Sequence, residues 1–221
     1  MELRHIPFKK MNGLGNDFVI IDARTEPLRL SAAVAGAIAS RTEGAGCDQV
    51  IVLERSSAAD VFMRILNADG SEVNACGNAS RCVAALLQPG LGLDRLTIET
   101  RAGVLEAEAG ANGLVTVDMG VPRFEWDRIP LSRAFEDTRV IDLTYALPDG
   151  RALAGPSVAN VGNPHCIFWV EDAGSYDLAS FGHTLEHHPL FPERANISLA
   201  EVKRAPPPPP PPRGRGGGGG P

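Results

Sequence analysis

The stretch Val61-Phe62-Met63-Arg64-Ile65-Leu66-Asn67-Ala68-Asp69-Gly70-Ser71-Glu72-Val73-Asn74-Ala75-Cys76-Gly77-Asn78-Ala79-Ser80-Arg81 decides how this chain is read. Val61, Met63 and Ile65 alternate as in a half-buried strand ending at Asn67. Asp69-Gly70 is a turn signal. From Gly77 to Gln88, Val83, Ala84, Leu86 and Leu87 form a helical apolar stripe. Cys76 therefore stands at a helix N-terminus, where unpaired N–H groups and the positive end of the macrodipole favour thiolate and make the sulfur a usable base or nucleophile. The segment between strand and helix is dense in polar groups that a core connection does not need, which points to a site. The same N–H groups suit a substrate carboxylate.

Outward from this segment the chain stays rich in strands. Residues 4–11 and Phe18–Asp22 predict a hairpin around the turn-forming residues 12–17. Ser31 caps an Ala-rich helix reaching about Thr42, and Gly44-Ala45-Gly46 leads into a strand over Gln49–Glu54. Leu96–Thr100, Val104–Ala109 and Leu114–Met119 predict further strands. Pro122–Pro130 reads as a connection. Beyond it, strands are expected near Val140–Leu143, Ser157–Asn160, His165–Val170 and Asn196–Val202, with a helix over Asp177–His187.

Composition bounds the function. The 221 residues are 43% hydrophobic with a formal charge of −6, enough for one large or two small cores. No extended Lys/Arg cluster precedes residue 203, so nucleic acid is not an expected partner. The start of the chain lacks the apolar core of a signal peptide, and no later apolar run has the length to span a bilayer. A cytoplasmic protein without a membrane partner is expected. Cys47, Cys76, Cys82 and Cys166 then read as reduced thiols, Cys82 and Cys166 as small buried hydrophobes.

Gly13-x-Gly15 and Gly44-x-Gly46 lack the third glycine and the helix of a phosphate loop. His183-Thr184-Leu185-Glu186-His187 matches the H-x-x-E-H zinc-protease pattern. Pro189 ends that helix at once, however, leaving no continuation for a third ligand, so the segment reads as a solvated helix end. No metal is expected.

Six ordered motifs then carry a resemblance. Met11-Asn12-Gly13-Leu14-Gly15-Asn16-Asp17-Phe18, Asp48-Gln49, Asn67-x-Asp69-Gly70-Ser71-Glu72, Cys76-Gly77-Asn78-x-x-Arg81, Gly162-Asn163-Pro164-His165 and Phe191-Pro192-Glu193-Arg194-x-Asn196 resemble the diaminopimelate epimerase family in order and spacing. The resemblance implies an α+β fold of two related domains, each a mixed, strand-rich sheet curled around a central helix. They would span residues 1–120 and 121–204, with the second incomplete, followed by a disordered Pro/Gly tail over 205–221. It implies an isomerase of lysine and peptidoglycan precursor biosynthesis, interconverting LL- and meso-2,6-diaminopimelate without pyridoxal phosphate, metal or other cofactor. Two cysteines on opposite faces of the α-carbon exchange its proton.

Carried over by position, Cys76 resembles the first acid/base cysteine and His165 a supporting residue. Gly77 and Asn78 resemble helix-end donors to the α-carboxylate, and Asn16, Gln49, Asn67, Asn163 and Asn196 the substrate-binding carboxamides. Where the family often has Gly-Asn-Gly, this chain has Gly77-Asn78-Ala79. Proline racemase-like and phenazine-biosynthesis isomerase-like enzymes share the fold, and the Asn-rich string around Cys76 favours the diaminopimelate branch.

The family continues past the Asn196 strand into more strands, a Glu-Arg pair and a second Cys-Gly-Thr/Ser motif. Here Lys203-Arg204 is followed by Pro, Gly, Arg and Ala alone, residues with GC-rich codons. The expectation is a truncated or frameshifted member without the second catalytic cysteine, inactive and poorly soluble by itself. A polyproline II ligand of an SH3-like domain is the alternative for the tail. The expected partner is a small amino-acid substrate, with a homodimer compatible. Alternative functions are a non-catalytic fragment or binding protein keeping half a site, and a zinc hydrolase using His183 and His187.

Overall fold

The computed structural model describes residues 5–203; the tail expected over 205–221 lies outside the described residues. Strands β1 (Lys9–Gly13), β2 (Asn16–Asp22), β3 (Gln49–Glu54), β4 (Val61–Asn67), β5 (Glu72–Val73), β6 (Arg95–Thr100), β7 (Gly103–Ala109) and β8 (Val115–Asp118) form one mixed sheet. Its order is β1-β2-β3-β4-β6-β7-β8, with β5 paired to β4. Helix α1 (Ala32–Ala39) connects the parallel pair β2/β3, and helix α2 (Gly77–Leu91) the parallel pair β4/β6. Parallel neighbours need such crossovers.

Both faces of the sheet are covered at β2 and β3, which is why Phe18-Val19-Ile20-Ile21 and Val50-Ile51-Val52-Leu53 are continuous apolar runs. Phe18, Ile20, Ile51 and Leu53 join Met63, Ile65, Cys82, Val83 and Leu87 in a core around α2. Val19, Ile21 and Val50 pack with Ala35, Ala39 and Cys47 on the α1 side. Helix α2 touches both β1 and β8, which stand at opposite ends of the strand order. The sheet is therefore curled around it, the α+β, strand-rich arrangement expected.

A second core follows the sheet. Strands β9 (Thr144–Ala146) and β10 (Ala152–Ala154) make a hairpin, and β11 (Ser157–Asn160), β12 (Pro164–Trp169) and β13 (Asn196–Ala200) a three-stranded sheet. Helix α3 (Leu178–Glu186) packs on β13. Ile129, Ile141, Cys166, Phe168, Phe181 and Leu185 centre this core. Cys82 and Cys166 are buried, as their helix and strand positions predict.

The structure differs from the sequence reading in four places. The six-residue turn over 12–17 is in fact a two-residue turn, Leu14-Gly15, both with positive φ (50° and 93°), and Gly13 pairs with Asn16. That turn matches the twist of the flanking strands. Helix α1 stops at Ala39 rather than Thr42, because the Ser40 hydroxyl accepts the Glu43 amide and starts a turn. Val140–Leu143 is not a strand: the Leu143 amide closes back on the Ile141 carbonyl at 2.9 Å, and the ladder begins at Thr144. Helix α2 continues past Gln88 through Pro89 to Leu91, and the left-handed Gly92 closes it with its amide on the Gln88 carbonyl.

Candidate active site

Three carboxamides reach one place by strand alternation. Asn16 has the parity of Phe18 and Ile20, Gln49 that of Ile51 and Leu53, and Asn67 that of Met63 and Ile65, so all three belong to the α2 face of the sheet. Asn16 and Gln49 open the parallel strands β2 and β3, and Asn67 closes the antiparallel β4 with Gln49 as its register partner. They therefore share one edge of the sheet, the edge where α2 begins. Gln49 Nε2 donates to Asn67 Oδ1 at 2.9 Å, and Asn67 Nδ2 to Ser71 Oγ at 3.1 Å.

Cys76 caps α2 in an extended conformation (φ −150°). Its thiol departs from the expectation. Burial raises its pKa, outweighing the Ala79 and Asn78 amides and the Arg81 charge, which act in the opposite direction. The resting group is a thiol. The helix start softens the effect of burial without reversing it.

The second core faces this edge. The turn between β11 and β12 holds Gly162 at φ +107°, and a Cβ there would come within 3.1 Å of the Ala75 Cβ. Only glycine lets the chain approach the residue preceding Cys76 so closely. Asn163 follows, and its Oδ1 lies 2.9 Å from His165 Nε2. Burial lowers the His165 pKa, so the neutral ring donates through Nε2. Asn196 opens β13 as the register partner of His165 and donates to the Pro164 carbonyl at 3.1 Å.

Between the two lies a cleft of about 620 Å³. Of the residues singled out in the sequence, Asn16, Gln49, Asn67, Cys76, Asn163 and Asn196 line it. Gly77, Asn78 and His165 do not and stand behind it. The Asn78 amide donates to Asn16 Oδ1 at 2.7 Å and accepts from Arg81, so it braces Asn16. Gly77 backs onto the Met119 sulfur, which a Cβ would approach to 3.2 Å.

Sequence reasoning gave no site role to Asp48, Glu72, Glu186, Glu193 or Arg194, all of which line the cleft. Asp48, Glu72, Glu193 and Arg194 sit inside the quoted motifs, a signal that was present. Glu186 arrives at the cleft only through folding: Arg194, at φ +64°, approaches Asp69 within 3.9 Å and Glu186 within 4.0 Å.

Among the described residues Cys76 is the one cysteine lining the cleft. Cys166 faces the second core on the parity of Phe168, opposite to His165, and burial pushes its thiol up to about 12. Cys47 and Cys82 are buried in the first cores, and burial raises both. Among the described residues no helix is long and apolar enough to cross a membrane.

A family model described as diaminopimelate epimerase matches residues 8–125. The diaminopimelate epimerase of Rhodospirillum centenum is 52% identical over 201 residues, covering 88% of this chain and 66% of that one. That of Rhodopseudomonas palustris strain BisB18 is 50% identical over 203 residues, covering 91% and 69%. The chain thus spans about two thirds of the length of these curated relatives. Among solved structures, a Bacillus anthracis phenazine biosynthesis protein of the PhzF family superposes with a TM-score of 0.51 at 18% identity, over 90% of this chain and 67% of that one. A hydroxyproline epimerase from Agrobacterium vitis gives 0.50 at 17%, over 81% and 54%. At such identities the likeness speaks to the fold alone, and it is the curled-sheet fold described above. With half of its sequence matching the model and relatives this similar, the chain belongs to the diaminopimelate epimerase family.

Proposed function

We propose that the protein this chain represents is a cofactor-independent epimerase interconverting LL- and meso-2,6-diaminopimelate, with domains over 1–120 and 121–204. One observation carries the reading: Cys76, at the start of α2, borders a cleft whose other walls supply Asn16, Gln49, Asn67, Asn163 and Asn196. Carboxamides offer donor and acceptor together, which suits a substrate carrying both ammonium and carboxylate.

In its thiolate form Cys76 takes the substrate α-proton. The electron pair left on carbon spreads into the α-carboxylate. The first-turn amides of α2 have no intrahelical acceptor; those of Asn78 and Ala79 face the Cys76 sulfur, and the Gly77 amide beside them is suited to hold that charge. Because burial raises the Cys76 pKa, the step draws on the minor thiolate fraction. His165 acts through Asn163 and does not touch the substrate.

Inversion requires a second acid on the opposite face, and among the described residues no second cysteine lines the cleft. By itself the chain therefore exchanges the α-proton of one stereoisomer without inverting it. Incubation with LL- and with meso-diaminopimelate in deuterium oxide, read by mass spectrometry and chiral chromatography, tests this. The expected result is α-deuteration of one stereoisomer with retained configuration, abolished in Cys76→Ala. Exchange that persists in Cys76→Ala, or no exchange with either stereoisomer, overturns the assignment.

A further inference from the structure

The segment His183-Thr184-Leu185-Glu186-His187 plays no part in the reading above, yet the fold assembles it. We propose that His183, Glu186 and His187 form a divalent transition-metal site at the rim of the cleft, zinc-like in its preference for imidazole and carboxylate.

One ligand atom from each of the three residues lies within 4.8 Å of the other two. A tetrahedral ion with bonds of about 2.1 Å sets its donors roughly 3.4 Å apart. The two imidazoles are exposed, so rotamer adjustment closes the difference without moving the backbone. The rings already lie together, with centroids 4.3 Å apart.

The surroundings supply what a ligand set needs behind it. His187 Nδ1 sits 2.8 Å from the His183 carbonyl oxygen, so Nδ1 carries the proton and Nε2 keeps a free lone pair. A backbone carbonyl of this kind commonly orients a metal-binding histidine. The Glu186 carboxylate is divided: Oε2 faces His183 Nδ1 and Oε1 faces Arg194, each at 4.0 Å. At 4.0 Å the guanidinium makes no hydrogen bond to Oε1, and the other oxygen stands toward the imidazoles. All three donors belong to the last turn of α3 and its cap, where the negative end of the helix dipole favours a cation.

The sequence reads this segment as a solvated helix end because Pro189 stops the helix before a third histidine. The third donor need not come from further along: Glu186, between the two imidazoles, is itself within reach. Because it also lines the cleft, an ion here sits on its rim.

Calorimetric titration of the full chain with zinc chloride, in buffer with a non-thiol reductant, tests the site. One ion per chain is expected, with affinity falling about tenfold or more in His183→Ala and in His187→Ala, and severalfold in Glu186→Gln. Cys76→Ala should leave it unchanged. His187→Ala also removes a contact at the helix end, whereas the exposed His183 ring makes no described hydrogen bond, so His183→Ala reads the metal term with the fold intact by circular dichroism. Absence of zinc binding, binding unaffected by His183→Ala, or binding lost in Cys76→Ala overturns the proposal. None of these outcomes depends on the epimerase reading.

Discussion

Asp17 and Asp48 hold each other: the carboxylate of each accepts the other's backbone N–H at 3.0 Å. Arg41 closes the pair, donating to Asp17 at 2.9 and 2.7 Å and to Asp48 at 2.7 Å. Asp48 Oδ2, which takes the Asp17 amide, also accepts from the Asn16 side-chain amide at 3.3 Å. The strand starts that carry Asn16 and Gln49 are thereby locked in register at the cleft.

This lock has a pH signature. The Arg41 guanidinium, ahead of every other influence, holds the Asp17 carboxyl well below the usual carboxylate range. A group whose pKa is depressed on folding stabilises above its unfolded value, about 3.9, and that stabilisation fades as pH falls below it. Urea denaturation at pH 6 and pH 3 should show a loss for the parent chain that is smaller in Arg41→Met, which has already given up the interaction. An equal loss in both would remove Arg41 as the cause.

Cys76 should alkylate like a thiol of raised pKa rather than an activated one. Iodoacetamide labelling across pH, followed by peptide mass spectrometry, is expected to reach half its maximal rate above the ordinary thiol value of about 8.5. Burial is the dominant cause and Arg81 opposes it, so Arg81→Met should move the midpoint higher still. A midpoint below 8 would mean that the helix-end amides win.

The buried Cys166 sulfur and the half-buried Cys76 sulfur separate stability from chemistry. Cys166→Ser puts a hydroxyl into a fully buried position and should cost about 1–3 kcal/mol in equilibrium unfolding while leaving α-deuteration intact. Cys76→Ser should do the reverse. A fall in exchange with Cys166→Ser at unchanged stability would place a second sulfur at the reaction.

Gly162 joins the two halves of the cleft. Gly162→Ala combines a left-handed φ with a Cβ 3.1 Å from Ala75, and should destabilise by about 1–3 kcal/mol. The cleft wall bearing Asn163 should shift with it, seen as altered amide resonances at Asn163 and Cys76. Unchanged resonances at both would show that the turn does not position the wall.

Local chemistry alone carried much of this protein. Apolar runs at Phe18 and Val50 flanked by turn residues read as strands, and a polar segment ending at Cys76-Gly77 before a helical stripe announces a cap and a site. Family-like spacing named the carboxamides before any of them had neighbours. Distances across the chain decided the rest. Ile141 and Leu143 alternate like a strand yet close a tight turn, because the Leu143 amide turns back on the Ile141 carbonyl while the Ile141 amide goes to Pro156. Cys76 stands at a helix start, yet burial and not the helix sets the direction of its pKa, since desolvation depends on what packs around the sulfur. Arg194 and Glu186 meet at the cleft rim only because α3 and the turn before β13 fold beside it. Sequence thus determined which residues have the right chemistry and on which local element they lie; only the tertiary structure decided which of them face one another, because burial and charge pairing are properties of neighbours that the order of residues does not contain.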